Sequence, residues 1–92
     1  MAIAGRFWDH ARMKEQAFAQ IVKSAICGYP HSTKWRVAVV LAHSLTDVQR
    51  QQFVAEYMTL RRSRGGLAAL REAGQHVGST FDVSNALLSP NA

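Results

Sequence analysis

The segment LRRSRGG, at positions 60–66, places Arg61, Arg62 and Arg64 immediately before two glycines. A guanidinium group is planar and can donate two parallel hydrogen bonds to a phosphate, and glycine allows a ligand to approach the backbone closely. The segment therefore predicts a phosphate-binding site, although it lacks the GxxxxGK[ST] pattern of a nucleotide-binding loop. In the structural alternative, the first two arginines lie at the negative end of a helix dipole, and Arg64 is solvated.

Other arginines and both tryptophans extend this candidate site. Arg71 follows the cluster by about two turns of a predicted helix, and Arg50 projects from the helix that precedes it. Each tryptophan has basic neighbours, and an exposed indole could stack on a base or contact a protein partner, whereas a buried one would belong to the core. The predicted binding residues are Arg50, Arg61, Arg62, Arg64, Arg71, Trp8 and Trp35.

The sequence does not predict catalysis or metal binding. The four histidines, His10, His31, His43 and His76, do not have the spacing of a metal site. Cys27 is the only cysteine, and its apolar neighbour Ile26 favours a small buried side chain over a nucleophile. The six acidic residues do not form a convincing catalytic pair. We therefore expect no enzymatic activity, no metal and no cofactor.

Composition restricts the class of protein and of partner. The 92 residues predict one small domain, and the excess of basic over acidic residues gives a net charge of +5. Eight of the eleven basic residues are arginine, which suits binding to nucleic acid or to an acidic protein. The longest apolar run, at 37–42, is too short to span a membrane, and the N-terminus does not resemble a secretory signal. These features predict a cytoplasmic protein that does not bind a membrane.

Helical periodicity runs through most of the chain. It predicts a first helix over 6–27, which Gly28 and Pro30 end, and a third segment that is helical up to Arg62. Two capping boxes overlap at the start of that third segment, one at 44–47 and one at 46–49. A short helix is predicted from about Leu67 to Ala73 or a little beyond, and Gly74 and Gly78 are expected to fragment the segment that follows. One more helical turn is predicted within 82–88, capped by Asp82 or Ser84, and residues 89–92 are expected to be a frayed tail.

The second segment, TKWRVAVVLAH at 33–43, is ambiguous. Its valines and its alternating apolar residues favour a strand, whereas one face of a helix would collect Trp35, Val39 and Ala42, with Ser32 or Thr33 as a cap. We predict a mainly α single domain, a bundle of four to five helices. The alternative is an α+β fold with one strand pair at about 35–42 and 77–83.

A helix-turn-helix motif is a second interpretation of the region 37–53. Ala38, Leu45 and Val48 have a spacing similar to that of small and apolar positions in helix-turn-helix proteins. The following helix would then expose Arg50, together with Asp47 and Gln49, to a DNA major groove. The simpler interpretation is two consecutive helices joined by a short turn.

These observations predict a non-catalytic, basic binding protein, most plainly one that binds DNA or RNA through its arginines. One alternative is an inhibitor or accessory protein of the phage or mobile-element type, which docks on a larger protein or nucleoprotein complex. Another is a homodimer. Nucleic-acid binding predicts that the arginines share one exposed face. Protein docking predicts an exposed apolar patch with Trp8 or Tyr57, and dimerisation predicts that the stripe containing Phe7, Phe18 and Ile21 is left uncovered.

Overall fold

Five α-helices joined by short connections form the part of the chain that the structure describes, residues 12–88 of a computed structural model. Of these residues 71% are helical, and none of them forms a strand. The predicted small helical bundle is therefore confirmed. The helices are α1 (Glu15–Ala25), α2 (His31–His43), α3 (Asp47–Leu60), α4 (Gly66–His76) and α5 (Val83–Leu88).

The first two helices form an antiparallel hairpin. Glu15 at the start of α1 pairs with His43 at the end of α2, and Lys23 near the end of α1 lies 5.2 Å from the ring centroid of Trp35 near the start of α2. The connection between them contains Gly28 at φ +84°, a left-handed conformation that favours glycine. The hairpin follows from a five-residue connection, which is too short to let α2 leave the side of α1.

The first helix begins later than its periodicity predicts. Residues 12–14 are not helical, and the backbone N–H of Met13 donates to the carbonyl of Asp47 at 3.0 Å. The Met13 carbonyl in turn accepts a hydrogen bond from the Arg50 side chain. These contacts with α3 replace the bonds of another helical turn. The predicted residues 6–11 of this helix lie outside the described residues.

The ambiguous second segment is helical, so the alternative strand pair at 35–42 and 77–83 is wrong. Burial follows the helical period: Val37, Ala38, Leu41 and Ala42 are buried, whereas Val40 between them is exposed. The predicted caps Ser32 and Thr33 are also wrong, because Pro30 is the N-cap and both residues lie in the first turn. Packing of this face against α1 outweighs the strand preference of the three valines.

The third helix begins at a capping box, as the second of the two overlapping patterns predicts. The Gln49 N–H donates to Thr46 Oγ1 at 3.1 Å, and the Thr46 N–H donates to Gln49 Oε1 at 2.9 Å. The apolar stripe of this helix is buried at Phe53, Val54 and Tyr57. Its last member, Met58, is exposed.

The fourth helix runs antiparallel to α3 and extends a little beyond Ala73, as predicted. It continues to His76, with Gly74 facing the Phe53 ring. At its other end, Gly66 lies against the C-terminal turn of α1. A Cβ atom on Gly66 would lie 2.5 Å from the carbonyl oxygen of Ala25. The contact places the positive end of α4 beside the negative end of α1, which is a favourable alignment of helix dipoles.

The core lies where the two hairpins face each other. The Phe18 ring of α1 and the Phe53 ring of α3 meet edge to face with centroids 5.2 Å apart, and both side chains are buried. Helix α5 packs on α2 and α4. The residue before it, Asp82, is one of the two predicted caps, and its carboxylate accepts from the Asn85 N–H. The predicted frayed tail at 89–92 lies outside the described residues. No helix within 12–88 is long and apolar enough to span a membrane.

We predict that Gly66→Ala destabilises the fold by about 1–3 kcal/mol, despite the higher helix propensity of alanine, because the added methyl collides with a backbone carbonyl. Gly65→Ala is the matched control, since a Cβ atom there meets nothing within 4 Å. Its free energy of unfolding should stay within about 0.5 kcal/mol of wild type. Urea denaturation of both variants measures the difference, and equal stabilities would contradict the predicted collision.

Candidate nucleic-acid interface

Arg50, a predicted binding residue, is buried at 5% exposure in the described chain and serves the fold. Its Nη1 donates to the carbonyls of Ala42 at 2.6 Å and Leu45 at 2.7 Å, and its Nε donates to the Met13 carbonyl at 2.8 Å. Its Nη2 pairs with the Asp47 carboxylate. These partners occupy donors from all three guanidinium nitrogens, so the side chain is not available to a phosphate.

Burial of Arg50 also overturns the helix-turn-helix interpretation in the form the sequence suggested. That interpretation placed Arg50 on an exposed face toward a major groove, together with Asp47 and Gln49. In the structure Arg50 points inward, Asp47 pairs with it, and Gln49 completes the capping box with Thr46. The start of α3 is therefore fixed by internal contacts.

The three arginines of the 61–64 cluster are exposed at the connection between α3 and α4, and they differ in their surroundings. The Arg61 guanidinium lies 5.7 Å from the ring centroid of Tyr57, one turn earlier in α3. Arg64 pairs with Glu72 of α4 at 2.9 Å. Arg62 is exposed in the same turn. The structural alternative for this segment therefore holds in part. Arg61 forms the C-cap of α3, as that alternative requires, whereas Arg64 is paired with Glu72.

Arg71 does not join the cluster. It lies on α4 and lines an open groove of about 400 Å³ between α4 and the segment that leads into α5. That groove also contains Asp82 and the side chain of Phe53, but none of Arg61, Arg62 and Arg64. Of the five arginines predicted to share a face, the structure brings together three.

Of the two tryptophans predicted to bind a partner, the structure describes one, Trp35. Trp35 is half-buried and packs against the core, with the Lys23 ammonium over its ring. Trp8 lies outside the described residues. Cys27 is exposed rather than buried, because α1 ends at Ala25 and the chain turns outward there.

Histidine and carboxylate side chains pair with one another across the surface of the described residues. His76 pairs with Glu56 and lies 3.8 Å from Glu72, the residue that also pairs with Arg64. Within 12–88, no group of three such side chains could hold a metal ion. The His76–Glu56 pair connects α3 with α4, and Glu72 links His76 to the arginine cluster.

Sequence reasoning missed a second set of basic residues at the same end of the bundle. The close approach of Gly66 to Ala25 brings the α1–α2 connection beside the α3–α4 connection. We call this region the basic end; its members are Lys23, His31, Lys34, Arg61, Arg62 and Arg64. Neither stretch, 23–36 or 60–67, contains an aspartate or glutamate. That run without acidic residues was visible in the sequence, but the adjacency of the two stretches was not.

The two patterns expected for a protein-docking or dimeric chain are not seen among the described residues. Tyr57 is buried, so it does not take part in an exposed apolar patch. Phe18 is buried and Ile21 is packed against the core, so this part of the first stripe is covered within one chain. Phe7 and Trp8 lie outside the described residues.

Comparison of the chain with protein-family models, with curated proteins and with solved structures finds no significant match.

We predict that Arg50→Ala costs about 3–5 kcal/mol of folding free energy, because three backbone carbonyls and a carboxylate lose their donor. Arg71→Ala is the control: it removes the same group from an exposed position, and its effect should stay within about 0.5 kcal/mol. Chemical denaturation of the two variants gives both values. A loss below about 1 kcal/mol for Arg50→Ala would refute a structural role for this side chain.

Proposed function

We propose that this protein binds nucleic acid through its phosphate backbone, with Arg61 and Arg62 as the principal contacts and Arg64 as a secondary one. The observation that carries the proposal is the exposure of three arginines within one turn at the end of the bundle. Phosphate contacts of this kind provide affinity and position the protein without reading the sequence.

The side-chain geometry of the cluster supports contact with a phosphate. An arginine over an aromatic ring is held in place by its stacked face, while the N–H donors at the edge of the guanidinium remain directed outward. The Arg61 guanidinium lies 5.7 Å from the ring centroid of Tyr57, whose own side chain is buried and therefore fixed. Less side-chain entropy is lost on binding than for a solvated arginine.

The distribution of charge also favours the 61–64 cluster over other surfaces of the protein as the binding site. Glu72 is the one carboxylate among residues 12–88 that pairs with the cluster, and it pairs with Arg64. Other exposed basic residues have acidic neighbours: Arg12 and Lys14 precede Glu15 at the opposite end of the bundle, near Asp47, and Arg71 lines a groove together with Asp82. Helix α3 has 14 residues, so it separates the two ends by about 20 Å. A polyanion is therefore attracted more strongly to the end that carries Arg61 and Arg62.

We expect Arg61→Gln/Arg62→Gln to reduce the slope of log K against log salt by about two for duplex DNA, since each lost phosphate contact contributes about 0.9. Fluorescence anisotropy across a salt series measures the slope, with duplex DNA, single-stranded DNA and RNA as probes. The control is Arg12→Gln/Lys14→Gln, which removes the same charge from exposed residues at the opposite end. It should keep the wild-type slope.

Two outcomes would overturn this proposal. Wild-type protein that binds none of the probes at low salt would leave docking on a larger protein as the function of the basic surface. Equal losses of slope in the Arg61/Arg62 and Arg12/Lys14 variants would show attraction by net charge, without a site.

The ion pair between Arg64 and Glu72 gives a second prediction, a gain of affinity. Glu72→Gln should release Arg64 toward the ligand, lower the Kd at low salt several-fold and steepen the salt slope by up to about one. Glu56→Gln is the matched control, because Glu56 pairs with His76 and changes the net charge by the same amount. The two variants are compared by the same anisotropy titration, and identical curves would argue against a contact by Arg64.

A further inference from the structure

The connection between α1 and α2 carries basic residues that the arginine cluster alone does not explain. His31 is exposed and Lys34 is half-buried, and both lie in the first turn of α2. Side chains in a helix lean toward its N-terminus, so these two lean toward the end of the bundle. Lys23 reaches the same region from the last turn of α1, over the Trp35 ring.

The fold fixes this connection beside the arginines. Gly66 is two residues after Arg64, Ala25 is two residues after Lys23, and the missing Cβ of Gly66 would nearly touch the Ala25 carbonyl. Lys23 and Arg64 each lie two residues along the chain from this contact, so their Cα atoms are at most roughly 20 Å apart. The fold therefore brings together, at one end of the bundle, basic residues that are more than 25 positions apart in sequence.

We infer that the basic end binds the backbone of a nucleic-acid duplex as a single two-part surface, in which Lys23 and Lys34 contact phosphates together with Arg61 and Arg62, independently of base sequence. This inference rests on the proposed function and extends it to a second connection and to one class of nucleic acid.

The phosphate density of a duplex and the burial of nearby aromatic rings both favour a duplex over a single strand as the ligand. A duplex carries one phosphate per about 1.7 Å of its axis, so about a dozen lie within 20 Å, twice as many as on one strand. Binding of single strands relies on aromatic rings that stack on bases. Within the described part of the basic end, Tyr29 and Trp35 pack against the core and Tyr57 is buried.

Independence from base sequence follows from the form of the surface. Bases are read by a helix or a strand pair inserted into a groove, with side chains that reach the base edges. The basic end consists of two connections and the helix ends beside them. Such a surface can contact phosphates along the rim of a groove.

The experiment compares Lys23→Gln/Lys34→Gln with Arg61→Gln/Arg62→Gln and the control Arg12→Gln/Lys14→Gln. Each removes two positive charges. Anisotropy is measured across a salt series with three duplexes of equal length and unrelated sequence, and with a single strand of that length. Circular dichroism and thermal melting confirm that each variant is folded.

We expect the Lys23/Lys34 variant to lose about two units of duplex salt slope, and the three duplexes to bind within about twofold of one another. The single strand should bind at least about tenfold more weakly. If wild type does not bind, or Arg61/Arg62 does not matter, the proposed function itself is wrong. If Arg61/Arg62 matters while Lys23/Lys34 retains the wild-type slope, only the second part of the surface is wrong. Preference for the single strand or for one duplex sequence would overturn the inferred ligand class.

Discussion

The arrangement of the first three helices depends on the hydrogen bonds that the buried guanidinium group of Arg50 donates. It donates to the carbonyls of Met13, Ala42 and Leu45, so it connects the residues before α1, the end of α2 and the turn into α3. Burying a charge is costly unless its donors are satisfied, and here the backbone supplies those acceptors together with Asp47. These hydrogen bonds fix one end of the bundle. The proposed binding residues lie at the opposite end.

At that opposite end, close packing of backbone sets the arrangement: the absence of a side chain on Gly66 lets α4 approach the last carbonyls of α1. Between the two ends, the Phe18 and Phe53 rings hold the two hairpins together. The two glycines of the 60–66 segment looked like a means for a ligand to approach the backbone. Gly66 instead allows one helix to approach another, and this contact brings the two basic connections together. Stability and the proposed binding surface thus depend on the same contact.

Much of the fold could be predicted from local signals. Thr46 and Gln49 specify the start of α3 through a capping box, and Asp82 specifies the start of α5. These signals work because cap and partner are three residues apart, so the interaction is encoded within one turn. The candidate site was predicted less well. Arg50 and Arg61 are chemically identical in the sequence, yet Arg50 is buried among carbonyls and Arg61 is exposed beside the ring of Tyr57.

The sequence by itself determined the helical class, the strong positive charge and the concentration of arginine at 61–64, because composition and short-range periodicity are properties of the chain alone. The tertiary structure decided that 33–43 is a helix, since the burial of Val37 and Leu41 against α1 outweighs the strand preference of valine. It also decided which arginine is structural and which basic residues are neighbours. Those outcomes depend on contacts such as Arg50 with Met13 and Gly66 with Ala25, which join residues 37 and 41 positions apart, and local sequence does not encode such contacts.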